Sequence, residues 1–231
     1  MYLIAHRGLH SKNTKENTLG AIKLGDANKK IQAVEIDVRL TKDNKVVVIH
    51  DDVIDRVSNG KGKVREMSLD RLKRFNYGSF LKRSTISTLE EVLDKFSENT
   101  LLVIELKDEL DKNIFLSDKV LEITSKYPNL NICFKSFNQD IILYLKKHTN
   151  IKVGALVNEK HISNLDLDMD FYSISKKIIT KDMIEEKLSQ NKQIMIWTIN
   201  SKEDMELLKN NIGDYINDIA IISDNPLMYC K

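Results

Sequence analysis

The stretch Val34-Glu35-Ile36-Asp37-Val38-Arg39-Leu40-Thr41-Lys42-Asp43-Asn44-Lys45-Val46-Val47-Val48-Ile49-His50-Asp51-Asp52 holds two apolar, β-branched runs separated by a polar turn. Successive side chains of a strand leave on opposite faces, so Glu35 and Asp37 project on the same side of the first run. A strand face carrying two carboxylates is not plain core. If the second run folds back on the first, His50 and Asp51 return beside those carboxylates.

Moving outward, similar apolar runs recur along the chain: Leu3-Ile4-Ala5, Leu101 to Leu106, Asn131 to Phe134, Lys152 to Leu156, Asp170 to Ile174, Gln193 to Ile199 and Ile219 to Ile222. Helical patterns lie between many of them, near 16–28, 114–126, 139–147, Ile184 and Met205. Runs apolar on both faces and alternating with helices predict a parallel sheet covered on both sides. With the run at Val34 there are eight, which predicts a (β/α)8 TIM barrel, α/β in class, over a single domain, 1–231. Val46 to Ile49 is then an additional hairpin arm. Residues 52–87, which include the turn Ser58-Asn59-Gly60-Lys61-Gly62 and a helix start at Ser68, form a small insertion after His50-Asp51, placed to act as a lid.

Composition narrows the partners. The 231 residues are 42% hydrophobic, enough for a sizeable core, and 36 lysines and arginines stand dispersed against 34 aspartates and glutamates. Such a balance offers no basic patch for nucleic acid and no membrane anchor, and points to a small-molecule partner. The start of the chain reads neither as a signal peptide nor as a transmembrane helix, so a cytoplasmic location is expected; the oligomeric state is left open. Cys133, in an apolar run, and Cys230 read as reduced structural thiols.

In barrels of this type the site forms at the C-terminal ends of the strands, and polar residues gather there. His6-Arg7 ends the first strand, Glu35 and Asp37 lie on the second, Glu105 and Lys107 on the third, Lys135-Ser136 end the fourth, and Trp197 with Asn200 marks the seventh. Glu35, Asp37 and Glu105 make a hard oxygen donor set, suited to Mg²⁺ or Ca²⁺ rather than zinc. Arg7 and Lys107 add fixed positive charge for a phosphate, and His6 and His50 supply a general acid and a general base. Together these residues predict phosphodiester hydrolysis. Trp197 is expected to wall the pocket, whereas His10, His148 and His161 read as surface residues. Glu16 and Asn17 read as the start of the first helix, with Asn17 or Thr14 as its cap.

The set His6-Arg7-Gly8, Glu16-Asn17-Thr18, Glu35-x-Asp37, His50-Asp51, Thr88-Leu89-Glu90-Glu91, Glu105-x-Lys107 and Trp197-Thr198-Ile199-Asn200 resembles the glycerophosphodiester phosphodiesterase family across nearly the whole chain. The resemblance implies a TIM barrel, a divalent cation held at Glu35, Asp37 and Glu105, and catalytic roles for His6 and His50. It also implies the substrate: a glycerophosphodiester such as glycerophosphocholine or glycerophosphoethanolamine, cleaved to glycerol 3-phosphate and an alcohol. The chain departs from the family pattern at Ser87 and Lys15, where proline is usual, and at Asn217 and Ala220, where glycine is common. These positions bear on loop geometry. Two other readings compete: a phospholipase-like activity on the same barrel, and a catalytically silent barrel that binds a phosphorylated metabolite. Binding alone requires no pair of histidines.

Overall fold

The computed structural model describes residues 2–79 and 82–230; Phe80 and Leu81 of the expected insertion lie outside the described residues. Eight parallel strands close into a barrel: β1 (Tyr2–Ala5), β2 (Ala33–Leu40), β4 (Leu101–Leu106), β5 (Ile132–Ser136), β6 (Lys152–Val157), β7 (Phe171–Ser175), β8 (Gln193–Trp197) and β9 (Ala220–Ser223). Closure comes from β1, which pairs with β9 on one side and β2 on the other. The additional strand β3 (Val46–Val48) runs antiparallel to β2, with Val38 opposite Val48 and Leu40 opposite Val46. The expected eight strands and the hairpin arm are therefore both present.

Period-two alternation within the strands explains where the core ends and the site begins. Ile4, Ala33, Val103, Cys133, Phe171, Met195 and Ile222 point into the barrel and fill its lower interior. Two residues further along the same strands stand His6, Glu35, Glu105, Lys135, Ser173, Trp197 and Asp224. The barrel is thus apolar below and polar above, at the C-terminal mouth. The outward rows, including Val34, Ile36, Leu102, Ile104, Phe134, Ile174 and Ile221, join the helices in the larger core. Each such aliphatic side chain stabilises the fold by about 1.5–3 kcal/mol on full burial.

Helices α1 (Leu19–Asp26), α4 (Asn113–Thr124), α5 (Gln139–His148), α6 (Lys181–Ser189) and α7 (Lys202–Ile212) cover the barrel where helical periodicity places them. The first begins later than expected. Thr18, not Asn17 or Thr14, caps α1 by accepting from the Ala21 amide, which leaves Glu16 and Asn17 free to turn towards the mouth. Between β6 and β7 the crossover is a 3-10 segment, Glu159–Asp166, in place of an α-helix. Gly8 belongs at a crowded crossing: its φ is +83°, and a Cβ there would lie 2.7 Å from the Ala21 backbone.

The segment after His50-Asp51 has a small core of its own, in which Ile54, Val64, Met67, Leu72 and Tyr77 pack with Val47 and Ile49 of the hairpin arm. It contains the one-turn helix α2 (Leu69–Leu72) and is followed by α3 (Leu89–Leu93). No helix of the described residues is long and apolar enough to cross a membrane.

Candidate active site

Strand register builds the site. Asp37 on β2 stands beside Glu105 on β4, and Glu105 beside Lys135 on β5. Lateral neighbours in a parallel sheet project on the same side, so all three enter the barrel mouth together. Glu35 enters one layer below Asp37. Each of Glu35, Asp37 and Glu105 offers a carboxylate oxygen, these oxygens lie within 4.8 Å of one another, and all three residues are buried.

Three buried carboxylates repel one another and are costly to desolvate, so charge must be supplied nearby. Lys107 Nζ lies 2.8 Å from Asp37 Oδ1 and also bonds Glu105. Lys135 Nζ lies 3.0 Å from Glu35 Oε1 and 3.6 Å from Glu105 Oε2. Arg7 Nε approaches Asp37 Oδ2 to 3.4 Å, while its backbone amide donates to Glu35 Oε2 at 3.0 Å. That amide contact needs the left-handed backbone of Arg7, φ 57°, which turns the chain over the carboxylate. Asn17 Nδ2 donates to Asp37 Oδ2 at 2.8 Å. Burial alone would raise the Asp37 carboxyl, but Lys107, Arg7 and the two histidines hold it well below its ordinary value. Burial would lower the ammonium groups of Lys107 and Lys135, and the adjoining carboxylates raise both instead, so each keeps its charge.

Two of the oxygens have little other satisfaction. Glu35 Oε1 and Asp37 Oδ1 are buried and meet only a lysine ammonium each, Lys135 at 3.0 Å and Lys107 at 2.8 Å. Buried carboxylate oxygens with an unused lone pair, together with the Glu105 carboxylate, form a donor set that fits a hard divalent cation.

Both expected histidines reach this mouth, each held in the same manner. His6 Nδ1 lies 2.6 Å from Asp224 Oδ1, which leaves Nε2 directed inward, 4.0 Å from Glu35 Oε2. His50 Nδ1 lies 2.7 Å from Asp51 Oδ1. An ionised carboxylate only accepts, so in both rings Nδ1 carries a proton and Nε2 is the nitrogen left to exchange one. The hairpin arm delivers His50: the Ile49 amide donates to the Asp37 carbonyl at 2.9 Å, and Arg39 Nε donates to the His50 carbonyl at 2.8 Å.

Several residues join the site that sequence reasoning passed over. Asp224, two positions beyond buried Ile222, accepts from His6, His10 and Asn200. These contacts outweigh the effect of burial and hold its carboxyl well below the usual range. Glu16 accepts from Arg7 and from Arg56 of the insertion, and Arg56 also donates to Asp51. Arg56 thereby links Glu16, the partner of Arg7, to Asp51, the partner of His50. His10 is a partner of Asp224 rather than a surface histidine, and His161 packs against Phe137 with ring centroids 4.9 Å apart. Trp197 meets Phe137 edge to face at 5.8 Å and donates Nε1 to the Ser173 carbonyl at 2.9 Å. It stands outside the ion-pair network, on the aromatic side of the mouth. His148, stacked on Tyr144, is exposed as expected.

Comparison with known proteins places the chain in a family. The model of the glycerophosphoryl diester phosphodiesterase family matches residues 6–227, a span that includes every site residue named above. The chain belongs to that family. It is 32% identical, over 94% of its own length and 93% of the relative's, to a glycerophosphodiester phosphodiesterase of Caldanaerobacter subterraneus. Among solved structures, it superposes on an Oleispira antarctica phosphodiesterase in complex with the product sn-glycerol-3-phosphate with a TM-score of 0.85, 27% identity and coverage of 99% and 94% of the two chains. A glycerophosphodiester phosphodiesterase from Thermotoga maritima matches with a TM-score of 0.79 at 26% identity, covering 99% of this chain and 96% of that one. The (β/α)8 barrel is thus that of a phosphodiester hydrolase, and it carries a buried acidic triad at its mouth.

Proposed function

We propose that this enzyme hydrolyses glycerophosphodiesters such as glycerophosphocholine or glycerophosphoethanolamine to glycerol 3-phosphate and the free alcohol. The observation that carries the reading is the pair of imidazoles. His6 and His50 are each tied through Nδ1 to a carboxylate and border one buried acidic triad. A pure binding site for phosphate would need the cations but not two oriented imidazoles.

Glu35, Asp37 and Glu105 would hold Mg²⁺ or Ca²⁺, and a bound cation would offset negative charge on the phosphoryl oxygens. Arg7 and Lys107 add fixed charge at the same mouth. One imidazole takes a proton from the attacking oxygen as it bonds to phosphorus, that oxygen being either water or the glycerol 2-hydroxyl, whose cyclic phosphate a water then opens. The other, carrying a proton on Nε2, gives it to the departing alcohol oxygen as its bond to phosphorus breaks, so one water is consumed, the proton count is unchanged and the glycerol keeps the phosphate. Asp224 and Asp51 keep the two rings oriented and stabilise the imidazolium form of each. Trp197, with Phe137 and His161, walls the side away from the charged cluster, where an apolar part of the substrate packs. The insertion, 52–87, borders His50 and serves as a lid that selects what enters.

The test is a panel of glycerophosphodiesters given to the purified protein with Mg²⁺ or Ca²⁺, with products identified by phosphorus NMR. Glycerol 3-phosphate and the alcohol are expected, with turnover lost on chelation and restored by the cation. Absence of glycerol 3-phosphate from every member of the panel would overturn the reading.

A further inference from the structure

Lys135 is the one member of the charged cluster that the proposed chemistry leaves without a task. It is 2% exposed, lies at the same level of the barrel as Asp37 and Glu105, and puts its ammonium between Glu35 and Glu105. Placing a lysine inside a barrel is unfavourable unless its charge is needed there. The charge count states the need. Glu35, Asp37 and Glu105 contribute three negative charges; Lys107 and Lys135 answer two of them, and Arg7, which also pairs with Glu16, is shared for the third. The charge of the triad is largely offset before any divalent cation arrives.

We infer that Lys135 is a built-in competitor for the cation: it occupies the Glu35 and Glu105 side of the triad and holds down the affinity of that triad for Mg²⁺ or Ca²⁺. The inference rests on the reading of the triad as a cation site. A dication entering this largely offset cluster would add two positive charges beside the Lys135 ammonium group. An anionic phosphate removes that excess. Cation and phosphate therefore bind better together than either does alone, and Lys135 sets the size of the coupling. Lys107 also reaches the triad, at Asp37 and Glu105, but it is the more exposed of the two lysines and already serves the phosphate in the proposed chemistry.

The experiment is calorimetric titration of Mg²⁺ and Ca²⁺ into wild type, Lys135→Met and Lys135→Gln, each with and without glycerol 3-phosphate, alongside thermal unfolding with and without cation. Removing one charge at this range is expected to tighten cation binding by more than about tenfold and to shrink the gain given by glycerol 3-phosphate. Cation should raise the melting temperature of the variants more than that of wild type, because three carboxylates are left facing two cationic side chains. A variant that folds only with cation present supports the inference equally. If wild type binds the cation and both variants bind it equally or more weakly, Lys135 organises the triad instead of competing for it, and the inference fails while the cation reading stands. If the variants bind and wild type does not, the competition is stronger than stated and the inference holds. If none of the three proteins binds, the cation reading falls and takes the inference with it.

Discussion

Asp224 makes the case for the site one residue at a time. Its Oδ1 faces His6 Nδ1 at 2.6 Å and His10 Nε2 at 3.3 Å, while Oδ2 accepts from Asn200. In the proposed chemistry it acts through the His6 ring, whose Nδ1 it holds. Asp224→Asn should lower kcat by about 10- to 100-fold, with KM and calorimetric cation affinity near wild type. An equal change in KM would indicate that the carboxylate contacts substrate instead. Sequence alone did not single out Asp224, because Ser223-Asp224-Asn225-Pro226 reads as ordinary turn chemistry. The usable signal was its position two beyond Ile222 on the inward row of β9. The same rule fits Lys135, two beyond Cys133, which the sequence already placed at the end of the fourth strand. Residues with two close neighbours of complementary type, such as Glu35-x-Asp37, were legible, whereas a lone polar residue ending an apolar run needed the register of the closed barrel.

At the scale of elements, the insertion and the helix after it differ in what they support. Arg56 makes four hydrogen bonds to Glu16 and Asp51 and is half exposed. Exposed ion pairs of this kind contribute only about 0–1 kcal/mol to stability. Arg56→Ala should therefore barely move the urea midpoint yet reduce kcat measurably, since Asp51 loses the partner that fixes it against His50. A large stability loss with unchanged turnover would contradict the tethering role. Helix α3 is the reverse case. Thr88 accepts from the Glu91 amide and Glu91 reaches back to the Thr88 amide, a capping box at the head of a helix of five residues. Thr88→Ala should cost about 1 kcal/mol in denaturant unfolding and leave kcat unaffected. The parallel strands were readable because both of their faces are apolar. The start of α1 was misplaced, because Glu16 and Asn17 suit a helix start by residue type, and only their contacts with Arg7 and Asp37 direct them to the mouth.

At the scale of the molecule, the mouth is a network of charge that should govern both acid stability and turnover. Burial would raise the Glu16 carboxyl, but Arg56 and Arg7 push it down to about 2 from an ordinary 4.5. Asp51 is likewise lowered to about 2 from 3.8, chiefly by Arg56. A carboxyl lowered by folding stabilises the folded state fully above its unfolded value and loses that contribution as the pH falls through the folded one. The protein should accordingly lose stability between about pH 4.5 and pH 2, and Glu16→Gln should flatten that part of the curve in acid titration followed by circular dichroism. An unchanged slope would mean that the Glu16 pairs are not formed in solution. Turnover at this mouth depends on the two imidazoles, and His50→Ala removes one of them. The variant should show a fall in kcat of about 10²- to 10⁴-fold on a glycerophosphodiester, with the affinity for glycerol 3-phosphate, measured by calorimetry, retained. Turnover at the wild-type rate in that variant would contradict that dependence.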